Sequence, residues 1–544
     1  MIHAQSPRSF NFARRARLLG TSALLLAALS ACAIRPEPMS LEEQIGQAVS
    51  DRAAMFAAQE AVSGPVTLEQ ALARAFKYNL QHRQTVMERA LEDSLLDVSK
   101  QDLLPKLTTR AGLRTRSNTQ ASVSESVATG NVSLEPSTSQ ERTSGTADVQ
   151  LSWNILDFGL SYYGAKSQAN RILAAEERRR RVVLALSEQV RAAWWEAVTA
   201  DRLRPQVDAI LTQAREVLAY AEQTERQRLL PPLDALRFQK AMLEIVQQLE
   251  AVDAELAVAK SQLASLMNLP PGSEYRLAVP AETQLAVPAM PLRLDALERV
   301  AMVKRPEIRE EAYLARNAAA EARSALLRLL PGANLYAGLN YDTNSYLVNQ
   351  DWADAGVQVT WNLFTLLNWS KVKQANAARM EVAEARRLAL RMAVLTQVNL
   401  AWHRYGRATT LFTRAAALQD VEQRILSNTE SAALSEAQTR LERVRAAASA
   451  LLATRARDRA YAEVQNALGS VYASAGLDPL PEVVEGADVD ALAAAIAQIS
   501  RDLEQGKVVV PDFAPLAPAQ DGQLMSEATN ISGLDTILKV AAAK

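Results

Sequence analysis

A mainly α-helical chain carrying membrane β-hairpins is the fold class that three observations predict. First, one short pattern is written twice: "ADVQLSWNILDFG" near position 150 and "AGVQVTWNLFTLL" near position 358. Second, each copy lies in a stretch where apolar and polar residues alternate strictly, the period of a strand with two unlike faces. Third, each is followed by a run of about sixty residues with helix-forming composition. At ~1.5 Å rise per residue such a run reaches roughly 90 Å, more than a compact domain needs.

The duplication extends well beyond the tryptophans. Leu68 in "VTLEQALARAFKYNL" aligns with Leu294 in "LRLDALERVAMVKRPEI", and Pro105 with Pro331, both at an offset of 226. Trp153 aligns with Trp361, and Trp194 with Trp402, at an offset of 208. One change of length, between the proline and the tryptophan, therefore accounts for both offsets.

The elements follow in order. Arg8, Arg14, Arg15 and Arg17 precede a short apolar segment, Leu18 to Ala31, which ends in "LSAC". This is the grammar of a secretory signal, too short for a lasting membrane span. The only cysteine of the chain, Cys32, stands where a bacterial lipoprotein would be cleaved and acylated with palmitate-like chains. The expected domains are a signal peptide (1–31), a lipid-anchored segment (32–64), a first repeat (65–270), a linker (271–291), a second repeat (292–481) and a partly disordered tail (482–544).

Within each repeat a helix comes first, about Leu68–Leu103 and Leu294–Leu329. A Leu-Leu-Pro ends it, because proline disfavours helix in the residue before it. A strand follows. Leu107, Thr109, Ala111 and Leu113 share one face, and Lys106, Thr108, Arg110, Gly112, Arg114 and Arg116 the other. In the second repeat Ala333, Leu335, Ala337, Leu339 and Tyr341 oppose Asn334, Tyr336, Gly338 and Asn340. After a polar loop, long in the first copy and short in the second, a strand returns. Ala147, Val149, Leu151 and Trp153 oppose Asp148, Gln150, Ser152 and Asn154; Ala355, Val357, Val359 and Trp361 oppose Gly356, Gln358, Thr360 and Asn362. Helix pairs then run over Ser167–Gln227 with Leu233–Met267, and Lys371–Ser431 with Gln438–Ala475. They are expected to form coiled-coil hairpins, with Pro205 as a kink or break in the first.

Composition narrows the function. The 544 residues carry a net charge of −1, with 5 % aromatics and three histidines. No basic excess suggests nucleic acid. His82 and His403 stand apart, without metal-ligand spacing, and no nucleophile elbow or phosphate loop is present. Neither an enzyme, a metal nor a cofactor is expected.

Two-faced strands of about 8–11 residues fit a transmembrane barrel. Four strands cannot close one, and an open edge leaves backbone groups unpaired in lipid at several kcal/mol each. Three chains would supply twelve strands. Trp153 and Trp361 would then sit at the periplasmic rim as interface residues, or else in a soluble core. Arg110, Arg114 and Arg116 would make the upper pore basic and favour anions, or form a solvated face with counterions.

With these residues assembled, the chain resembles the TolC-type outer-membrane factor family, lipoprotein subclass, from about Pro65 to Pro481. The resemblance rests on the ordered set: lipobox, two tandem copies, "LLP" before a hairpin strand, and "(L/V)(S/T)WN(I/L)(L/F)" after it. It implies a homotrimer with a shared 12-stranded β-barrel in the outer membrane and an α-barrel tunnel in the periplasm. It further implies a passive exit duct for efflux or type I secretion, docked to a periplasmic adaptor protein and an inner-membrane transporter. The family closes its periplasmic aperture with acidic residues just past the helical tip. Here "EAQTRLERVRA" places Glu442 and Arg445 at those positions, and "LLPPLDALRF" places Asp234 at the matching one. The tip glycine is replaced by Arg228 and Glu436, and Pro231-Pro232 makes the first tip sharp. Glu442 from three chains would form an acidic ring pairing with Arg445 across protomers, or be an ordinary coiled-coil charge. The competing reading is a lipid-anchored periplasmic scaffold or adaptor without a pore.

Overall fold

The computed structural model describes residues 37–227, 231–281, 285–434, 440–481 and 486–513. The chain divides into two units, Met1–Ala58 and Gln59–Lys544. In the first, helix α1 (Leu41–Met55) is capped by the Ser40 hydroxyl, which accepts from the Glu43 amide at 3.1 Å, and it buries none of its residues. The proposed signal peptide and Cys32 lie outside the described residues.

The second unit holds both repeats. Its order is α2 (Leu68–Tyr78), α3 (Leu80–Gln101), β1 (Lys106–Thr115), β2 (Thr143–Asn154), α4 (Ile155–Arg226), α5 (Pro232–Leu266), α6 (Leu294–Lys304), α7 (Pro306–Leu327), β3 (Gly332–Asp342), β4 (Asp351–Thr360), a 3-10 turn (Leu363–Asn368), α8 (Trp369–Leu434), α9 (Arg440–Ser474) and α10 (Val489–Glu504). Among the described residues no helix is long and apolar enough to cross a membrane.

The first helix of each repeat, expected to be continuous, is broken at one equivalent place. Asn79 is extended (φ −61°, ψ 125°), and its side chain caps α3 by accepting from the amides of Gln81 and His82. Its counterpart in the second copy is Arg305 (φ −63°, ψ 125°), followed by Pro306. A carboxamide cap makes the break in one copy; in the other, the steric demand of proline on its predecessor does so.

The first long helix starts twelve residues earlier than expected and does not break at its proline. Asn154 Oδ1 accepts from the amides of Leu156 (2.9 Å) and Asp157 (3.3 Å), so α4 begins where β2 ends. It then passes Pro205 without ending. Proline inside a helix costs about 3 kcal/mol through a lost hydrogen bond and a clash. Packing holds the helix here: Leu203 and Val207, on either side, are fully buried against Met242, Leu249 and Val252 of α5.

The four strands form one antiparallel sheet in the order β1-β2-β3-β4. The helices continue that order, with α3 against α4, α4 against α7, and α7 against α8. One apolar core at mid-height joins Phe76, Trp194, Leu263, Leu297, Val398 and Val471 from both repeats. A second follows the α4–α5 hairpin and takes in Val444 and Leu451 of α9. The nearly buried Glu177 stitches the copies together, taking Arg180 of its own helix and Arg309 of α7 at 3.0 Å each. Burial pushes its carboxyl up despite these partners.

Three segments outside the expected repeats pack against the main unit or lie within it. Residues 59–64 belong to the main unit: Gln59 donates to the Asn268 carbonyl at 2.8 Å, and Arg74 to that of Glu60. The 271–291 linker is partly core, with Tyr275 and Leu277 buried and Leu277 bridged to Val66. The segment after 482 contains α10, whose Leu492 and Ile496 are buried in the shared core beside α2.

Candidate channel wall and aperture

The two central strands of the sheet invert the usual burial order. Cross-strand neighbours lie on one face, and the rows Leu107–Leu151–Ala337–Ala355 and Thr109–Val149–Leu339–Ala353 are apolar but for one threonine. Apolar side chains of this face are exposed: Leu107 and Leu339 in these rows, and Val357 and Val359 in the rows beside them, all exceed 60 %. The opposite face carries Ser152, Gln150, Asp148, Tyr336 and Asn340, each partly covered. A water-soluble subdomain would bury the first face and wet the second. On β2 and β3 the apolar side chains are the more exposed and the polar ones the more covered, while on β1 and β4 both faces are exposed. Apolar residues facing out in alternation is the pattern of a membrane barrel strand.

The strand edges complete this picture. Among the described residues β1 and β4 each pair on one side only. Their outer edges present a row of unsatisfied amides and carbonyls beside an exposed apolar face, which lipid does not tolerate.

Both predicted rim tryptophans stand at the helical end of the sheet, in different settings. Trp153 is the penultimate residue of β2, on the apolar face, edge-to-face with Phe158 at 5.7 Å. Trp361 lies just past β4, and its indole N–H donates to the Leu329 carbonyl at 3.1 Å. The repeated Asn has one job in both copies. Asn154 caps α4, and Asn362 caps the 3-10 turn by accepting from the Phe364 amide at 3.1 Å.

The three arginines expected along the pore do not share one setting. Arg110 and Arg114 lie on the polar face of β1, whereas Arg116 lies beyond its end, donating to Gln120. Arg110 Nε is 3.0 Å from Asp148 Oδ2, and its Nη2 donates to Gln150 at 2.8 Å. The polar face carries Lys106, Arg110 and Arg114 against Asp148, Asp342 and Asp354, so it is balanced in charge. Reading β1 alone missed this, because the acids come from the other three strands. Trp352 is a further unanticipated residue, half-exposed on this face opposite Asn340.

At the far end, Pro231 (φ −52°, ψ 135°) precedes α5 and Pro232 is its first residue. The Pro231 carbonyl accepts from the amides of Asp234 (3.0 Å) and Ala235 (3.1 Å), so the proline pair starts the helix sharply. Asp234 sits in the first turn, favourably placed at the positive helix end, 3.6 Å from Arg237. Glu442 and Arg445 are exposed in the first turns of α9. Arg228 and Glu436 lie outside the described residues. No group of three or more His, Cys, Asp or Glu able to hold a metal occurs among the described residues.

No protein-family model and no curated protein matches the sequence. Solved structures do match. The Campylobacter jejuni CmeC outer membrane channel aligns over 87 % of this chain and 98 % of its own, at 13 % identity and a TM-score of 0.59. The open-state Neisseria gonorrhoeae MtrE outer membrane channel aligns over 77 % and 94 %, at 17 % identity and 0.56. The outer-membrane channel OprN aligns over 75 % and 89 %, at 19 % identity and 0.57. With its two-faced sheet, its paired long helices and nearly the full length of these channels aligned, the chain has the outer-membrane factor fold.

Proposed function

We propose that the protein is the outer-membrane exit duct of a tripartite efflux or type I secretion system. The observation that carries this reading is the sheet: one face is apolar and exposed, the other polar and charged, and both edges are unpaired among the described residues. Three copies would close twelve strands by pairing β4 of one with β1 of the next, removing every edge from lipid. Charge favours that joint, since β1 brings Lys106, Arg110 and Arg114 to the polar face and β4 brings Asp354. Opposite charges across strands contribute about 0.2–1 kcal/mol each.

On this reading the exposed apolar side chains of α8 are covered by a neighbouring copy, and the helices form a periplasmic tunnel ending at Asp234, Glu442 and Arg445. An adaptor would meet the tips, an inner-membrane transporter would supply the energy, and the duct would be passive. Cys32 would carry the lipid anchor. Electron microscopy of the detergent-solubilised protein tests the core of the proposal: a hollow three-fold tube below a detergent belt is expected, and a monomer without a belt around the hairpins overturns it. Cys32→Ser should lose the acyl mass and stay in the membrane fraction through its barrel; release by alkali would return the protein to the scaffold class.

A further inference from the structure

We infer that the Arg110–Asp148 pair is the element that holds the β-barrel lumen neutral, so that the outer duct passes solutes of either charge sign rather than selecting anions or cations. The inference rests on the duct reading above. Its observations are distinct from that reading. Arg110 and Asp148 are direct cross-strand partners at mid-height of β1 and β2. The guanidinium holds the carboxylate at 3.0 Å and the Gln150 amide oxygen at 2.8 Å, so two contacts fix its direction. The arginine side chain is 68 % exposed and the aspartate 23 %, which puts the cation toward the open face with its counter-charge directly beneath. Asn340, the next partner in the same row, donates to Asp354 of the adjacent row at 2.7 Å, anchoring a second carboxylate against the sheet. Three basic and three acidic side chains share the face, and this pair is the one ionic contact between oppositely charged members of that set among the described residues.

A neutral pair contributes little field at a distance, whereas removing one member leaves one uncompensated charge per chain, in a ring of three. Rings of charged side chains are how pores select by sign. At about 0.1 M salt, Coulomb attraction in water with ordinary screening makes such a ring worth a roughly two- to fivefold change in the cation-to-anion permeability ratio.

The test is reversal potential in planar bilayers under a KCl gradient. The wild type should be nearly unselective. Arg110→Gln should move the ratio toward K⁺ and Asp148→Asn toward Cl⁻, each by about two- to fivefold, and more at lower salt. The swapped pair, Arg110→Asp with Asp148→Arg, should return to the wild-type value and guards against a variant that merely misfolds. Pores whose ratio is unmoved by both single substitutions overturn the inference and leave the duct intact. A wild-type protein that inserts but forms no pore overturns the duct itself.

Discussion

The two repeats share one sequence grammar and reach different packing. Leu203 on α4 and Leu411, its counterpart on α8, make the contrast plain. Leu203 is fully buried in the core of the first hairpin, while Leu411 is 49 % exposed. Leu418, Val421 and Ile425 continue the exposed stripe down α8. The first copy thus completes its hairpin core within the chain, and the second leaves an apolar face uncovered. Duplicated sequence guarantees the element and its amphipathic pattern; it leaves open which neighbour covers the apolar stripe.

The largest effect expected is at this pair. Leu203→Ala should lower the unfolding free energy by about 2–5 kcal/mol, the range for a large-to-small change in a packed core. It would be read as a fall in Tm followed by circular dichroism. Leu411→Ala should leave helix content unchanged and act on the association of copies, seen as trimer loss on dilution by native mass spectrometry. Equal effects on helix content would break the comparison.

Next comes the helix break of the second copy. Gly476, just past α9, has φ +72°, and a Cβ there would lie 2.7 Å from the backbone nitrogen of Arg305. Arg305 in turn donates to the Ala473 carbonyl at 2.8 Å. Gly476→Ala combines a left-handed backbone with a backbone clash, so a loss of at least about 1–3 kcal/mol is expected in denaturant unfolding. At the Asn79 break the counterpart of Gly476 is Asn268, also left-handed (φ 57°), and Asn79 Nδ2 donates to the Leu266 carbonyl at 3.3 Å. Asn79→Ala should therefore cost a cap and this bond, about 1–2 kcal/mol.

A smaller difference separates the repeated asparagines. Asn154→Ala removes the cap of a 72-residue helix and should cost about 1 kcal/mol. Asn362→Ala faces only a short 3-10 turn and should cost less; the reverse order in thermal unfolding would show that the turn, not the helix, depends on its cap.

The smallest effect concerns pH. His82 is buried, with Nδ1 2.8 Å from the Phe76 carbonyl and Nε2 3.4 Å from Arg179. Burial, aided by the Arg179 charge, holds its pKa below the ordinary 6.5. The unfolded chain therefore binds a proton at higher pH than the folded one, so stability is full above about 6.5 and falls as pH drops toward the folded value. His82→Gln should flatten the decline of Tm between about pH 7 and 5. Its counterpart in the second copy is Ile308, which does not titrate, so that copy lacks this sensitivity.

Much of the architecture was legible in residues. The alternation around Trp153 and Trp361 marks two return strands, and the constant offsets mark two copies. The helix breaks were not legible, because Asn79 and Arg305 share no residue type and only the second precedes a proline. The early start of α4 was legible in principle: Asn154 with Asp157 three positions on is a helix-start signal, hidden by the strand pattern it terminates. The balanced wall was not legible from β1, since Asp148, Asp342 and Asp354 meet the arginines only through pairing.

Sequence by itself determined the periodicities, and with them the helices, the strands and the apolar face of each. Those are local: a period of about 2 or about 3.6 sets which side chains share a face wherever the element lies. Tertiary structure alone decided that α4 runs unbroken through Pro205, that Leu203 is covered and Leu411 is not, that α10 joins the core, and that Arg110 meets Asp148. Each of these depends on which distant segment arrives as the neighbour, and no local repeat in the chain encodes that.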